Sequence, residues 1–273
     1  MKYDILTSFR EYLNSEIENK NTADRYYFAV TRLFKQKQFD SLDEIDLDYL
    51  KSSLLGIKTK NDFSAAKNGL LHLAAYDQKL ALPEEEFFSG TSLKKRNWTK
   101  KPAKTLYLDT INRKTNSIKN KSLKLAYRLM KASGLRVSEV AALEKQDIEI
   151  DRGQIKITVK HGKGGSNGIV TCLPDNYLAK ELKIYLDQRQ ENEQIFYSAA
   201  SMKKYAGELG IECHDFRRIA AITHNTIEKK TLGNDKETAN EHTKDFLRHS
   251  RFSTTKRYLY NRKLKFKHPD VEE

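Results

Sequence analysis

Over the first 80 or so residues, apolar side chains recur every three or four positions, the period of one helix face. Ile5, Phe9, Tyr12, Leu13 and Ile17 set a first helix. Asn21 or Thr22 offers a cap for a second, with Tyr26, Tyr27, Val30, Leu33 and Phe34 as its apolar positions. A third short helix is predicted from Asp46 to Leu55. A fourth runs from Phe63 to Tyr76, with Ala66, Leu70, Leu73 and Ala74 facing the core and Pro83 closing it. Together they predict a compact helical domain over residues 1–85.

From residue 86 the pattern changes. Phe87 to Lys104 has little helical periodicity and carries Lys94, Lys95, Arg96, Lys100 and Lys101, which predicts a basic linker over 86–104. It reads either as a solvated connector or as a strap along nucleic-acid phosphates. Asn120 to Leu143 is helical again, with an interruption at Gly134. Gln154–Lys160 and Gly168–Leu173 are rich in Ile, Val and Thr, as strands are, and HGKGGSN between them predicts a hairpin with Lys163 at its tip. Further helices are expected at 175–190, near 198–209 and from Asp215 onward. The second domain thus spans 105–273, and the fold class is mostly α with a small antiparallel β-sheet (α+β).

Charge sharpens this division. The 273 residues carry a net charge of +13. Residues 1–85 hold 12 basic and 14 acidic side chains, residues 86–104 hold six and one, and the remainder hold 32 and 22. Positive charge in the middle and the C-terminal part attracts phosphate backbones. Two cysteines make no disulfide framework and point to a reducing compartment. There is no apolar run of about 18 residues, so no membrane partner is expected, and the early acidic residues do not read as a signal peptide. The expected location is the cytoplasm.

Five local features carry candidate chemistry. In SGLRVSEVAAL, Gly134 permits a sharp turn, Arg136 opens the next helix and can grip a phosphate, and Glu139 lies on the same face to orient it. An ordinary surface Arg–Glu pair fits that motif equally well. Lys163 on the hairpin tip can reach a groove or protonate a leaving alkoxide, although alone it reads as a solvated loop lysine. The turn lacks the G-x-x-x-x-G-K-[ST] pattern of a nucleotide-binding loop. His214 and Arg217, three apart, share a helix face and can hold one phosphate while the histidine moves a proton. His249 follows in LRHS, and Tyr258 comes nine residues later, with Tyr260 as its rival. His224, His242, Cys172 and Cys213 form no C-x-x-C or H-x-x-x-H pair, so no metal is expected.

Taken in order, Arg136 with Glu139, Lys163, His214 with Arg217, His249 and Tyr258 resemble the catalytic domain of the tyrosine recombinases, the phage-integrase and Xer family, over residues 133–260. The helical N-terminal part is similar to that family's core-binding domain in pattern only. The resemblance implies a site-specific DNA recombinase that cuts and rejoins strands through a covalent 3′-phosphotyrosyl bond, with no metal, ATP or other cofactor. Tyr258 would be the nucleophile and His214 would assist its proton. Arg136, Arg217 and His249 would bind the charge on the phosphate, Lys163 would protonate the leaving 5′-oxygen, and Glu139 would hold Arg136 or His214. It further implies a two-domain C-shaped clamp on double-stranded DNA at specific sites, with the 94–101 cations on the backbone. The chain would be a monomer or weak oligomer when free and a homotetramer on DNA, a minimal Xer-like or mobile-element enzyme. Leu264 and Phe266 would be tail anchors for a neighbouring subunit. The sequence departs from the family in having Arg248 where a glycine usually precedes the histidine, and Arg218 where a second histidine often follows His-x-x-Arg. It also has a longer polar stretch, TIEKKTLGNDKETANEH, expected to be looped out. These departures leave a type IB topoisomerase-like nicking-closing enzyme, or a catalytically silent DNA-binding relative, as alternatives.

Overall fold

The computed structural model describes residues 3–35, 42–78, 80, 82, 87–88, 105–160, 167–260 and 263–265. Lys94, Lys95, Arg96, Lys100, Lys101, Lys163, Pro83 and Phe266 lie outside the described residues. The chain divides into two compact units, Met1–Lys101 and Pro102–Glu273.

The first unit is built from helices α1 (Tyr3–Glu16), α2 (Lys20–Phe34), α3 (Leu47–Leu55) and α4 (Lys60–Tyr76). The expected periodicity becomes its core: Phe9, Leu13, Val30, Leu50, Leu70 and Leu73 are fully buried. Each such side chain contributes about 1.5–3 kcal/mol by leaving water. Gly69 lets α2 and α4 approach closely, since a Cβ there would stand 2.6 Å from Val30 Cγ2 and 2.9 Å from the Tyr26 carbonyl oxygen. Phe87 and Phe88, read from the sequence as linker, pack into this core.

Two boundaries differ from expectation. Helix α2 is capped by Asn19, whose side chain accepts the Thr22 N–H at 3.2 Å, and not by Asn21 or Thr22. The earlier start brings Ala23 into the buried stripe one turn before Tyr26 and Tyr27. Helix α4 stops at Tyr76, well before Pro83, because Asp77 turns to extended backbone while its N–H closes on the Leu73 carbonyl.

The second unit begins with β1 (Leu106–Tyr107), α5 (Leu108–Asn116), α6 (Lys121–Ser133) and the short α7 (Val137–Ala141). Strands β2 (Ile148–Asp151), β3 (Gln154–Val159) and β4 (Gly168–Thr171) form an antiparallel sheet in that order. Ile155, Ile157 and Val159 of β3 alternate inward and are buried, the period-2 signature of a half-covered sheet. β2 was not predicted; four residues of alternating Ile and acid are too short a run to separate from a turn. Helices α8 (Asn176–Leu186), α9 (Ala199–Glu208), α10 (Cys213–Thr231), α11 (Lys236–Phe246) and α12 (Phe252–Tyr260) follow, and β5 (Leu264–Lys265) pairs in parallel with β1 of the same chain. The tail residue Leu264 thus packs against its own core.

The polar stretch at 226–242 is not looped out. Its first part extends α10 to Thr231, Asp235 caps α11 through the Glu237 and Thr238 N–H groups, and the two helices pack together. Asn225 replaces the missing apolar contacts: its Nδ2 reaches the Ala239 carbonyl and Asn240 Oδ1 at 3.1 Å and Thr243 Oγ1 at 3.2 Å.

Candidate active site

The site is assembled around the end of α6. Gly134 ends that helix in the left-handed region at φ 66, as a C-terminal glycine does. A Cβ there would meet Leu247 and Phe246 at 3.0 Å, so glycine also admits the end of α11. The carbonyl of Gly134 accepts from Arg217 Nη1.

Two residues on, Arg136 caps α7. Its N–H donates to Glu139 Oε2 at 2.7 Å and its Nη1 to Glu139 Oε1 at 2.8 Å. The Glu139 side chain is only 1% exposed, against 19% for Arg136. The expected Arg–Glu pair is therefore a partly buried structure and not a solvated surface pair.

Arg217 projects from α10 and is 1% exposed. Its Nη2 donates to the Leu247 carbonyl at 2.7 Å and lies 3.0 Å from His249 Nε2, while its Nη1 is 4.0 Å from Glu139 Oε2. Burial, then the Arg136 cation, lowers Arg217 to about 10, opposed by Tyr258 and Glu139. It remains a cation at neutral pH.

His249 follows α11. Arg217 can only donate, so His249 Nε2 accepts and the ring proton sits on Nδ1, which donates to Thr255 Oγ1 at 2.9 Å. Burial, with the Arg217, Arg136 and Arg248 cations and His214, pulls His249 down to about 3, so the ring is neutral. In this arrangement His249 orients Arg217 and does not present an N–H outward.

Tyr258 sits on α12 and is buried at 9% exposure. Its hydroxyl is 2.9 Å from His214 Nε2, and its ring lies 5.6 Å from the His214 ring and 5.4 Å from the His249 ring, centroid to centroid. The Arg217 guanidinium carbon is 5.6 Å from the Tyr258 ring centroid. His214 is held below its usual range by burial, then by the Arg218, Arg217 and Arg136 cations, which leaves a neutral imidazole able to accept the tyrosine proton.

The structure thus brings together Arg136, Glu139, His214, Arg217, His249 and Tyr258. Tyr260, by contrast, is 48% exposed, its hydroxyl 3.5 Å from Asn240. Arg218 turns to Asp215 at 2.7 Å and Glu212 at 3.5 Å. His224 stacks on Phe246 and His242 pairs with Glu228. Cys172 and Cys213 are pushed up to about 12 and about 11, chiefly by burial. Among the described residues no group of three or more His, Cys, Asp or Glu side chains could hold a metal. Thr255, which fixes the His249 ring, had no sequence signal of its own; Arg248, marked in the sequence only as a departure from the family's glycine, joins the cluster with its Nη2 2.8 Å from Glu139 Oε2.

Residues 98–264 match the model of the phage integrase family. The chain belongs to that family. Its relatives include the XerA tyrosine recombinases of Thermococcus kodakarensis, 28% identical over 196 residues, and of Pyrococcus horikoshii, 26% identical over 196 residues. These matches cover 70% and 71% of this chain but only 64% of each relative's length. In fold it is similar to a Tn1549 transposon integrase in complex with transposon right-end DNA, with a TM-score of 0.65 at 13% identity over 93% of this chain and 94% of that one. It is also similar to a lambda integrase dimer bound to a COC′ core site, with a TM-score of 0.66 at 15% identity over 99% of this chain and 80% of that one. The mostly helical architecture with its small antiparallel sheet is therefore the integrase fold. Among the described residues no helix is long and apolar enough to cross a membrane.

Proposed function

We propose that this phage integrase family member is a site-specific DNA recombinase that cleaves and rejoins strands through Tyr258. The observation that carries the reading is the Tyr258 hydroxyl at 2.9 Å from a neutral His214, inside a cluster that also holds Arg217, His249 and the Glu139-bound Arg136. Tyr258 Oη attacks the scissile phosphorus, its proton passes to His214, and the bond to the 5′-oxygen breaks. Arg136 and Arg217 neutralise the charge that develops on the non-bridging oxygens. Lys163 donates the proton to the leaving 5′-oxygen. The 3′-phosphotyrosyl bond keeps the energy of the broken one, so a 5′-hydroxyl from a partner strand reseals it without ATP, metal or other cofactor.

The partner is double-stranded DNA carrying a specific site, with Lys94, Lys95, Arg96, Lys100 and Lys101 on its backbone. A monomer or weak oligomer in solution would assemble as a homotetramer on two sites, in the cytoplasm. The two solved neighbours were both determined on DNA, which supports this choice of partner.

The test is covalent trapping on a nicked suicide duplex carrying a site selected by the protein from random sequence. Wild type and Tyr260→Phe should form a protein–DNA adduct, and Tyr258→Phe should form none. Adduct with Tyr258→Phe but not with Tyr260→Phe would refute the assignment. No adduct from wild type would leave a catalytically silent DNA-binding relative as the better reading.

A further inference from the structure

We infer that Arg248 is a positioning residue of this site, which takes over the charge of Glu139 when Arg136 turns its guanidinium to a phosphate. The inference rests on the recombinase reading above and concerns how that site engages its substrate.

Three guanidinium groups converge on one carboxylate. Arg136 Nη1 is 2.8 Å from Glu139 Oε1, Arg248 Nη2 is 2.8 Å from Oε2, and Arg217 Nη1 is 4.0 Å from Oε2. Three cations against one buried anion leave an excess of two positive charges, which an incoming phosphate offsets. Arg136 is the most exposed of the three, at 19% against 10% for Arg248 and 1% for Arg217, and so is the one with reach. One arm of its fork, Nη1, is held by Glu139. Turning it outward strips a buried carboxylate of one of its two nearest cations, and an uncompensated buried charge is costly. Arg248, already at hydrogen-bond distance from Oε2, keeps the carboxylate neutralised through that exchange.

The backbone points the same way. Arg248 stands at φ 54, in the left-handed region that glycine occupies freely and other residues only against strain. Its N–H is fixed on the Asp245 carbonyl at 2.8 Å, and the His249 N–H on the Lys244 carbonyl at 3.0 Å. The turn thus needs the left-handed residue whatever its side chain. Glycine, expected at this place from the family pattern, would satisfy the turn but supply no cation. The arginine accepts the strain and places its guanidinium on Glu139.

Arg248→Gly suits the φ it inherits and should fold with an unchanged or higher Tm. Measured by single-turnover adduct formation on the suicide duplex, it should cleave about 10- to 100-fold more slowly than wild type, the loss of one close charged contact to a buried carboxylate. Duplex affinity should stay within about twofold of wild type, since ground-state binding is dominated by other cations. Arg248→Lys should recover part of the rate. Glu139→Gln removes the charge that Arg248 serves, so adding Arg248→Gly to it should slow cleavage less than about twofold further, as coupled residues do. Arg248→Gly cleaving at the wild-type rate, or slowing the Glu139→Gln chain as much as it slows wild type, overturns the inference while leaving the recombinase reading intact. A wild-type chain that forms no adduct overturns both.

Discussion

His249 stands between partners that fix its protonation. Arg217 donates to Nε2 and Thr255 accepts from Nδ1, while Tyr258 packs on the ring and the cations of Arg136, Arg217 and Arg248 face it. Folding therefore buries a neutral imidazole with a pKa near 3, where the unfolded chain holds one near about 6.5. Because the folded value is depressed, the contribution is fully present above the unfolded pKa and is lost as pH falls toward the folded one. Between pH 7 and pH 4 this single group should cost on the order of 3 kcal/mol of stability. Urea denaturation of wild type and His249→Asn at both pH values isolates it: the wild-type loss should be the larger by about that amount, and equal losses would sink the idea. Which residue types meet here was legible in the sequence because each motif is short-range, as Arg136 with Glu139 and His214 with Arg217 show. How they interlock was not. The Arg217 contacts to Gly134, Leu247 and His249 span 83, 30 and 32 residues, and the glycine usual at 248 hinted at the left-handed turn there but not at a guanidinium on Glu139.

At the scale of elements, helix periodicity was the readable quantity wherever a stripe is apolar, as in α1, α4 and α6. It failed where the buried stripe is polar. The facing sides of α10 and α11 are closed by Asn225, Asn240, Thr243 and Ala239, which hydropathy reads as solvent-exposed loop. These helices shape the candidate site: α10 bears His214 and Arg217, and the end of α11 supplies the Leu247 carbonyl that holds Arg217. Asn225 is only 5% exposed, so Asn225→Ala removes its buried Nδ2 hydrogen bonds to Ala239, Asn240 and Thr243 at a cost of about 2 kcal/mol. For a unit of this size that corresponds to a fall of roughly 4–8 °C in Tm. A thermal melt that does not move would mean that α11 is not docked through this residue, and that the polar stretch contributes nothing to presenting His249.

At the scale of the whole molecule, the net charge of +13 is concentrated outside residues 1–85, and the linker is its densest run. A solvated connector and a phosphate strap have the same composition, so the expectation of a strap rests on the family resemblance of the rest of the chain. Counterion release separates them. Each phosphate neutralised by a lysine or arginine steepens the plot of log affinity against log salt by about 0.9 on duplex DNA. If Lys94, Lys95, Arg96, Lys100 and Lys101 all lie on phosphates, replacing the five by alanine should flatten that slope by up to about 4.5. This electrostatic term is sequence-independent, so the titration can use a random-sequence duplex and does not depend on knowing the recombination site. A slope that stays at the wild-type value would assign these residues to a solvated connector. The DNA grip would then fall to the basic residues of 105–273.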